Sequence, residues 1–124
     1  MKVVDANVVL RYLLNDVPEQ AEYAASIIEG EAVTIPNEVL AEVVYVLSGV
    51  YGAGREHIAQ SLRELLSYRT VRCPDTPAAL TALEHYESTR LDFVDCLLIG
   101  TAASGAEVVT FDTELSAALK KIHD

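Results

Sequence analysis

The sequence predicts an α/β protein built on a parallel sheet. Three observations carry that prediction: short β-branched runs alternate with stretches of helical periodicity, apolar residues are abundant, and no repeat or low-complexity run breaks the alternation. Hydrophobic residues make up 51% of the 124 residues and charged residues 23%. That is the balance of a chain that buries a core and not of a disordered one. Residues 1–124 are expected to form a single domain.

The elements follow in order. Lys2 to Val4 is a short β-branched run ending in Asp5, after which Val8, Val9, Tyr12 and Leu13 recur at helical spacing as far as Asn15 and Asp16. Pro18 stands where a first helical turn tolerates it, and the Ala-rich stretch to Ile28 keeps an apolar stripe until Gly30. Ala32 to Ile35 reads as a second strand. Pro36 opens a strongly apolar helix through Leu47, ended by Gly49, Gly52 and Gly54. From Arg55 to Tyr68, Ile58, Leu62, Leu65 and Leu66 mark another helix, and Thr70 to Cys73 is a strand closed by Pro74. Pro77 to Thr89 and Asp92 to Ser104 are helical, Glu107 to Phe111 reads as a buried strand, and a last helix runs from Asp112 to near His123. Strands alternating with helices predict right-handed crossovers.

The longest uncharged stretches, Val43 to Gly54 and Cys96 to Ala106, fall short of the roughly 20 apolar residues that a membrane span requires. Asp5 and Arg11 interrupt the N-terminal apolar run, which therefore lacks the pattern of a signal peptide, and a cytoplasmic location is expected. Cys73 and Cys96 lie far apart with no metal-ligand spacing and read as small core residues, while His57, His85 and His123 fall in charged parts of helices and read as solvated. With 19 acidic against 9 basic side chains the net charge is −10. A protein that coats nucleic acid through a broad basic face is excluded, so any nucleic-acid function has to bring its own local positive charge.

Four acids stand in suggestive places. Asp5 and Asp112 each end a strand and precede a helix. That position suits a helix N-cap, and it is also where open α/β sheets gather their sites. Glu42 lies in an apolar helix and by helical count borders the stripe formed by Val39, Val43, Val46 and Leu47, which predicts a partly desolvated carboxylate. Asp95 points between Ile99 and Ala102 on a helix that is apolar nearly all round, and a buried carboxylate needs a partner. Asp92 is placed as that helix's N-cap, with Asp95 at the third helical position in the manner of a capping box. Few cations lie nearby, and carboxylates without enough Lys or Arg partners shift their pKa values up or bind a hard divalent cation. Oxygen ligands without His or Cys favour Mg²⁺ or Mn²⁺ over zinc.

Val3-Val4-Asp5-Ala6-Asn7-Val8-Val9-Leu10-Arg11-Tyr12-Leu13, Glu42 in its apolar helix, Leu91-Asp92-Phe93-Val94-Asp95 and Val109-Thr110-Phe111-Asp112 together resemble the ordered acidic motifs of PIN domains, above all VapC-type toxins. The resemblance spans Lys2 to about Leu115. It implies a three-layer α/β/α fold with a short parallel sheet of four strands. Relatives commonly add a fifth, edge strand after the last helix, where this sequence reads Lys120-Lys121-Ile122-His123-Asp124.

By the same resemblance Asp5, Glu42 and Asp95 map onto the family's core metal-binding acids and Asp112 onto a fourth that binds less directly. Asn7 and Thr110 match polar positions that support the cluster, and Asp92 a position often acidic. The implied activity is Mg²⁺-dependent hydrolysis of RNA phosphodiester bonds, with Mn²⁺ substituting. The implied partners are an RNA substrate, a cognate antitoxin with a basic tail and a second copy of the chain. Arg11, Arg90, Lys120 and Lys121 are candidate RNA contacts, each equally readable as a solvated surface charge. One rival is a phospho-acceptor signalling domain, which would want a Lys ending a late strand, whereas Val108-Val109-Thr110-Phe111 runs straight into Asp112. The other is a PIN-fold RNA-binding or regulatory module without chemistry, which would usually lack one of the four acids.

Overall fold

The computed structural model describes residues 1–123, the His123 side chain excepted, so the expectation of a solvated His123 ring lies outside the described residues. The chain divides into two compact units, Met1–Pro74 and the part from Asp75 onward.

The first unit holds β1 (Lys2–Val3), α1 (Ala6–Leu14), α2 (Pro18–Gly30), β2 (Val33–Thr34), α3 (Asn37–Gly49), α4 (Arg55–Leu66) and β3 (Val71–Arg72). The strands pair in parallel in the order β1-β2-β3, with Lys2 opposite Val33 and Val33 opposite Val71. Ladder hydrogen bonds extend just past the strand ends, from Val4 N–H to the Thr34 carbonyl at 3.2 Å and from Ile35 N–H to the Arg72 carbonyl at 2.8 Å. Val4, Val33, Ile35, Val71 and Cys73 are buried while Val3 and Arg72 are exposed, so a period of two sorts the side chains. Parallel pairing puts the carboxyl ends of β1 and β2 on one edge, where α1 and α3 begin.

Local chemistry explains the helix ends. The Asp5 carboxylate caps α1, Asn15 ends it in the left-handed region at φ 50° with its N–H donating to the Arg11 carbonyl, and Pro18 opens α2. Tyr12 on α1 ties down two neighbours. Its hydroxyl donates to Glu29 Oε2 at 2.6 Å and shares a hydrogen bond of 3.1 Å with the Tyr68 hydroxyl, while the two rings meet edge to face. Burial, then Glu29 and Tyr68, push the Tyr12 phenol well above its ordinary range. We expect Tyr12→Phe to cost about 1 kcal/mol, a loss visible as a lowered urea midpoint at unchanged slope. A midpoint equal to that of the native chain would show that the clamp contributes nothing.

The second unit is helical: α5 (Thr76–Ser88), α6 (Phe93–Ala103) and α7 (Thr113–His123). Asp75 caps α5, accepting from Ala78 N–H at 3.0 Å. α5 presents Ala78, Ala79 and Ala82 as buried small residues, and α6 approaches them so closely through Gly100 that its Cα faces the Ala78 backbone. Tyr86 and Phe93 pack edge to face with ring centres 5.6 Å apart. Ile99 and Ala102 of α6 form a core with Leu115 and Leu119 of α7.

The strand expected at Glu107–Phe111 does not form, so the sheet among the described residues has three strands and not four or five. β-branched composition favours an extended backbone, but a strand exists only by pairing, and among the described residues no strand pairs with this segment. Nor is the segment buried: Val109 and Phe111 are 83% and 103% exposed, and only Val108 turns inward against the α6–α7 core. Both cysteines are buried and outside any disulfide, as expected, and burial pushes the Cys73 thiol up to about 11. No helix among the described residues is long and apolar enough to cross a membrane.

Candidate functional site

Asp5 follows β1 directly and is exposed, and its Oδ1 accepts from Val8 N–H at 3.0 Å. Capping therefore occupies one carboxylate oxygen, fixes the orientation of the group and leaves Oδ2 available. Asp112 repeats the device at the head of α7: Oδ1 accepts from Leu115 N–H at 2.8 Å, and its own N–H donates to Thr110 Oγ1 at 3.0 Å. Thr110 thus holds the backbone of Asp112 through its hydroxyl. At both positions the cap and the site acid are compatible readings of one side chain.

Glu42 corrects an expectation. It is exposed rather than partly desolvated, on a face of α3 shared with Glu38 and Tyr45. The buried stripe runs through Leu40, Ala41, Val43, Val44 and Leu47, leaving Val39 and Val46 only half-buried. It is rotated by about a quarter turn from the stripe that the spacing suggested. α3 is apolar on so many sides that its own sequence allowed either centring, and packing against α1 and α4 decided.

Asp95 behaves as its helical position predicts. It is half-buried on α6 with Ile99 and Ala102 buried one and two turns on, and no Lys or Arg lies within ion-pairing distance among the described residues. Its carboxyl is raised above the ordinary range by burial first, then by the negative charges of Asp112, Asp92 and Glu114. Asp92 holds the N-cap position of α6 and its carbonyl accepts from Cys96 N–H at 3.0 Å, but its side chain makes no cap hydrogen bond, so the expected capping box is absent. Glu114 is the member of this acidic group that sequence reading passed over. A glutamate in the first turn of a helix looks like ordinary complement to the helix dipole, and only its place two residues after Asp112 could have signalled more.

The remaining candidates separate. Asn7 is exposed beside Arg11 and Tyr23 in a groove between α1 and α2. Arg11 is largely committed: its guanidinium pairs with Asp16 at 3.3 Å, and its Nε is buried without a hydrogen bond. Arg90, Lys120 and Lys121 are exposed. Lys120 and Lys121 diverge, Lys120 toward the loop at Gly105 to Thr110 and Lys121 toward the end of α5. Among the described residues of either unit, no group of three or more His, Cys, Asp or Glu side chains could hold a metal ion. The four acids singled out by the sequence divide two and two, Asp5 and Glu42 in the first unit, Asp95 and Asp112 in the second.

A family model described as PIN domain matches residues 2–121, a span that contains all four acids. A VapC ribonuclease of Aquifex aeolicus (strain VF5) is 29% identical over 102 residues, covering 78% of this chain and 75% of the relative. No solved structure gives a significant match.

Proposed function

Because the chain belongs to the PIN-domain family, we propose that it is a Mg²⁺- or Mn²⁺-dependent endoribonuclease, the toxin of a VapBC-type pair, with residues 1–124 acting as one catalytic domain. Asp5, Glu42, Asp95 and Asp112 are its metal-holding acids. The observation that carries the reading is Asp95, a half-buried carboxylate pushed upward by burial and by three neighbouring acids, with no Lys or Arg ion-paired to it among the described residues. A hard divalent cation relieves that repulsion, and the donor set of carboxylate oxygens suits Mg²⁺ or Mn²⁺.

When bound, the divalent cation supplies Lewis-acid chemistry at the scissile phosphodiester. The chain's own residues supply position. The caps at Asp5 and Asp112 hold each carboxylate in one orientation and leave Oδ2 outside the cap, Thr110 steadies the Asp112 backbone, and the apolar neighbours of Asp95 exclude water from one side. Asp92 and Glu114 add negative potential that draws the cation in. The same acids suit the basic tail of an antitoxin, which would compete with metal for them, and assembly as a homodimer and a cytoplasmic setting complete the reading.

The test is incubation of total bacterial RNA with the protein and Mg²⁺ or Mn²⁺, with mapping of new 5′ ends, beside an Asp112→Asn protein purified in parallel. We expect metal-dependent cuts that fall by about 100-fold or more in the variant. Identical patterns from both proteins would end the nuclease reading and leave a PIN-fold binding module.

A further inference from the structure

The second unit carries a cleft of about 420 Å³ between the end of α5, the Thr89–Leu91 turn and one face of α7. Three of its lining side chains, His85, Arg90 and Lys121, bear nitrogen donors. In a chain with only 9 Lys and Arg against 19 Asp and Glu, this gathering is unusual. Elsewhere Lys2 pairs with Glu31 and Arg11 with Asp16, but Arg90 and Lys121 have no ion pair among the described residues. The turn itself is fixed: Thr89 Oγ1 donates to the His85 carbonyl at 2.6 Å and accepts from Leu91 N–H at 3.2 Å. Its hydroxyl is thereby spent, and the cations remain as donors to a ligand. Leu91, Ala117 and Ala118 give the cleft an apolar floor.

Glu114 lines this cleft and also acts on Asp95, so the cationic cleft and the acidic group meet at one residue. Arg90 stands two residues before Asp92. We propose that the cleft is a phosphate-binding subsite for the RNA strand, with Arg90 and Lys121 gripping a backbone phosphate beside the acids while a ribose or base rests on the Leu91 floor; this rests on the nuclease reading. An acidic group alone repels RNA, and a cationic subsite at its border supplies the local attraction that a net charge of −10 otherwise denies. Charge complementarity decides the occupant: a basic antitoxin tail suits the acids and is repelled here, whereas a polyanionic strand is held here and repelled there except at the metal.

The experiment measures fluorescence anisotropy of a fluorescein-labelled single-stranded RNA against the full chain over a range of salt, with Ca²⁺ replacing Mg²⁺, and then cleavage kinetics in Mg²⁺. The Arg90→Gln/Lys121→Gln double variant is expected to bind on the order of tenfold more weakly at low salt, and its plot of log affinity against log salt to be shallower by roughly 0.7, the value for one phosphate on a single strand. Its KM should rise more than its kcat falls, and Arg69→Gln, an exposed cation of the first unit, should match the native chain in every readout. A double variant that is folded by circular dichroism and binds RNA with native affinity and salt slope overturns the subsite while leaving the nuclease standing. A native chain that neither binds nor cuts RNA removes the nuclease reading and the subsite with it. Loss of poly-glutamate binding in the double variant with RNA binding intact would assign the cleft to an acidic protein segment and overturn the proposal.

Discussion

Asp95→Asn should give a protein that no longer cuts RNA yet, stripped of metal, unfolds at a higher temperature than the native chain. The carboxyl of Asp95 is raised in the folded state by burial and by Asp112, Asp92 and Glu114. A raised acid holds its proton more tightly folded than unfolded, so the contribution of Asp95 to stability is greatest at low pH and declines as pH rises from the unfolded value near 3.9 through the folded one. Above both values the cost of the ionised group is fully present. An amide of the same shape never ionises and avoids that cost, so the variant should gain a few degrees in Tm at pH 8 in EDTA. The gain should shrink as pH falls through the folded value of Asp95 and be gone only below the unfolded one, while other carboxylates titrate alike in both proteins.

Divalent metal reverses the order. On the proposed reading Mg²⁺ or Mn²⁺ should bind the folded native chain and raise its Tm by mass action, whereas the variant, lacking a ligand, should gain little. Activity should fall by about 100-fold or more. Scanning both proteins by calorimetry from pH 4 to pH 8, with EDTA and with metal, checks all three statements. A variant less stable than the native chain at pH 8 in EDTA would mean that Asp95 has a stabilising partner, and an undiminished metal-induced rise would remove it from the ligand set.

What the sequence disclosed followed what is local. Caps are decided within four residues, so Asp5 and Asp112 were legible, and α6, apolar around nearly its whole circumference, made the partial burial of Asp95 legible, although the full burial its sequence suggested does not occur. The parallel pairing of β1, β2 and β3 followed from strands separated by helices. Glu42 was misjudged because two centrings of the α3 stripe fit the sequence equally, and the choice belongs to α1 and α4. The segment at Glu107–Phe111 has the composition of a strand, but composition cannot supply a pairing neighbour. The divergence of Lys120 and Lys121 follows from the helical count of about 100° per residue, but the groove each would meet does not.

Gly100→Ala is the second large effect, and its sign depends on one contact. In isolation the change favours the helix, since alanine gains up to about 1 kcal/mol over glycine in a helix interior. Here a Cβ would overlap the Ala78 carbonyl oxygen and lie 2.9 Å from its carbon and 3.3 Å from its Cα. Those atoms are helical backbone and cannot rotate aside, so α6 must move off α5, at an overpacking cost of about 1–3 kcal/mol or more. The balance is a net loss, expected to lower Tm by roughly 5 °C and, because α6 carries Asp95, to reduce cleavage as well. Ala78→Gly should not rescue it, because the obstacle is a carbonyl and not a methyl group. Gly30→Ala supplies the contrast: nothing lies within 4 Å of the added carbon and φ is not positive, so the same substitution should be neutral or slightly stabilising. If Gly100→Ala melted at or above the native temperature, α5 and α6 would have to pack less closely than this, and the position of Asp95 would no longer depend on their contact.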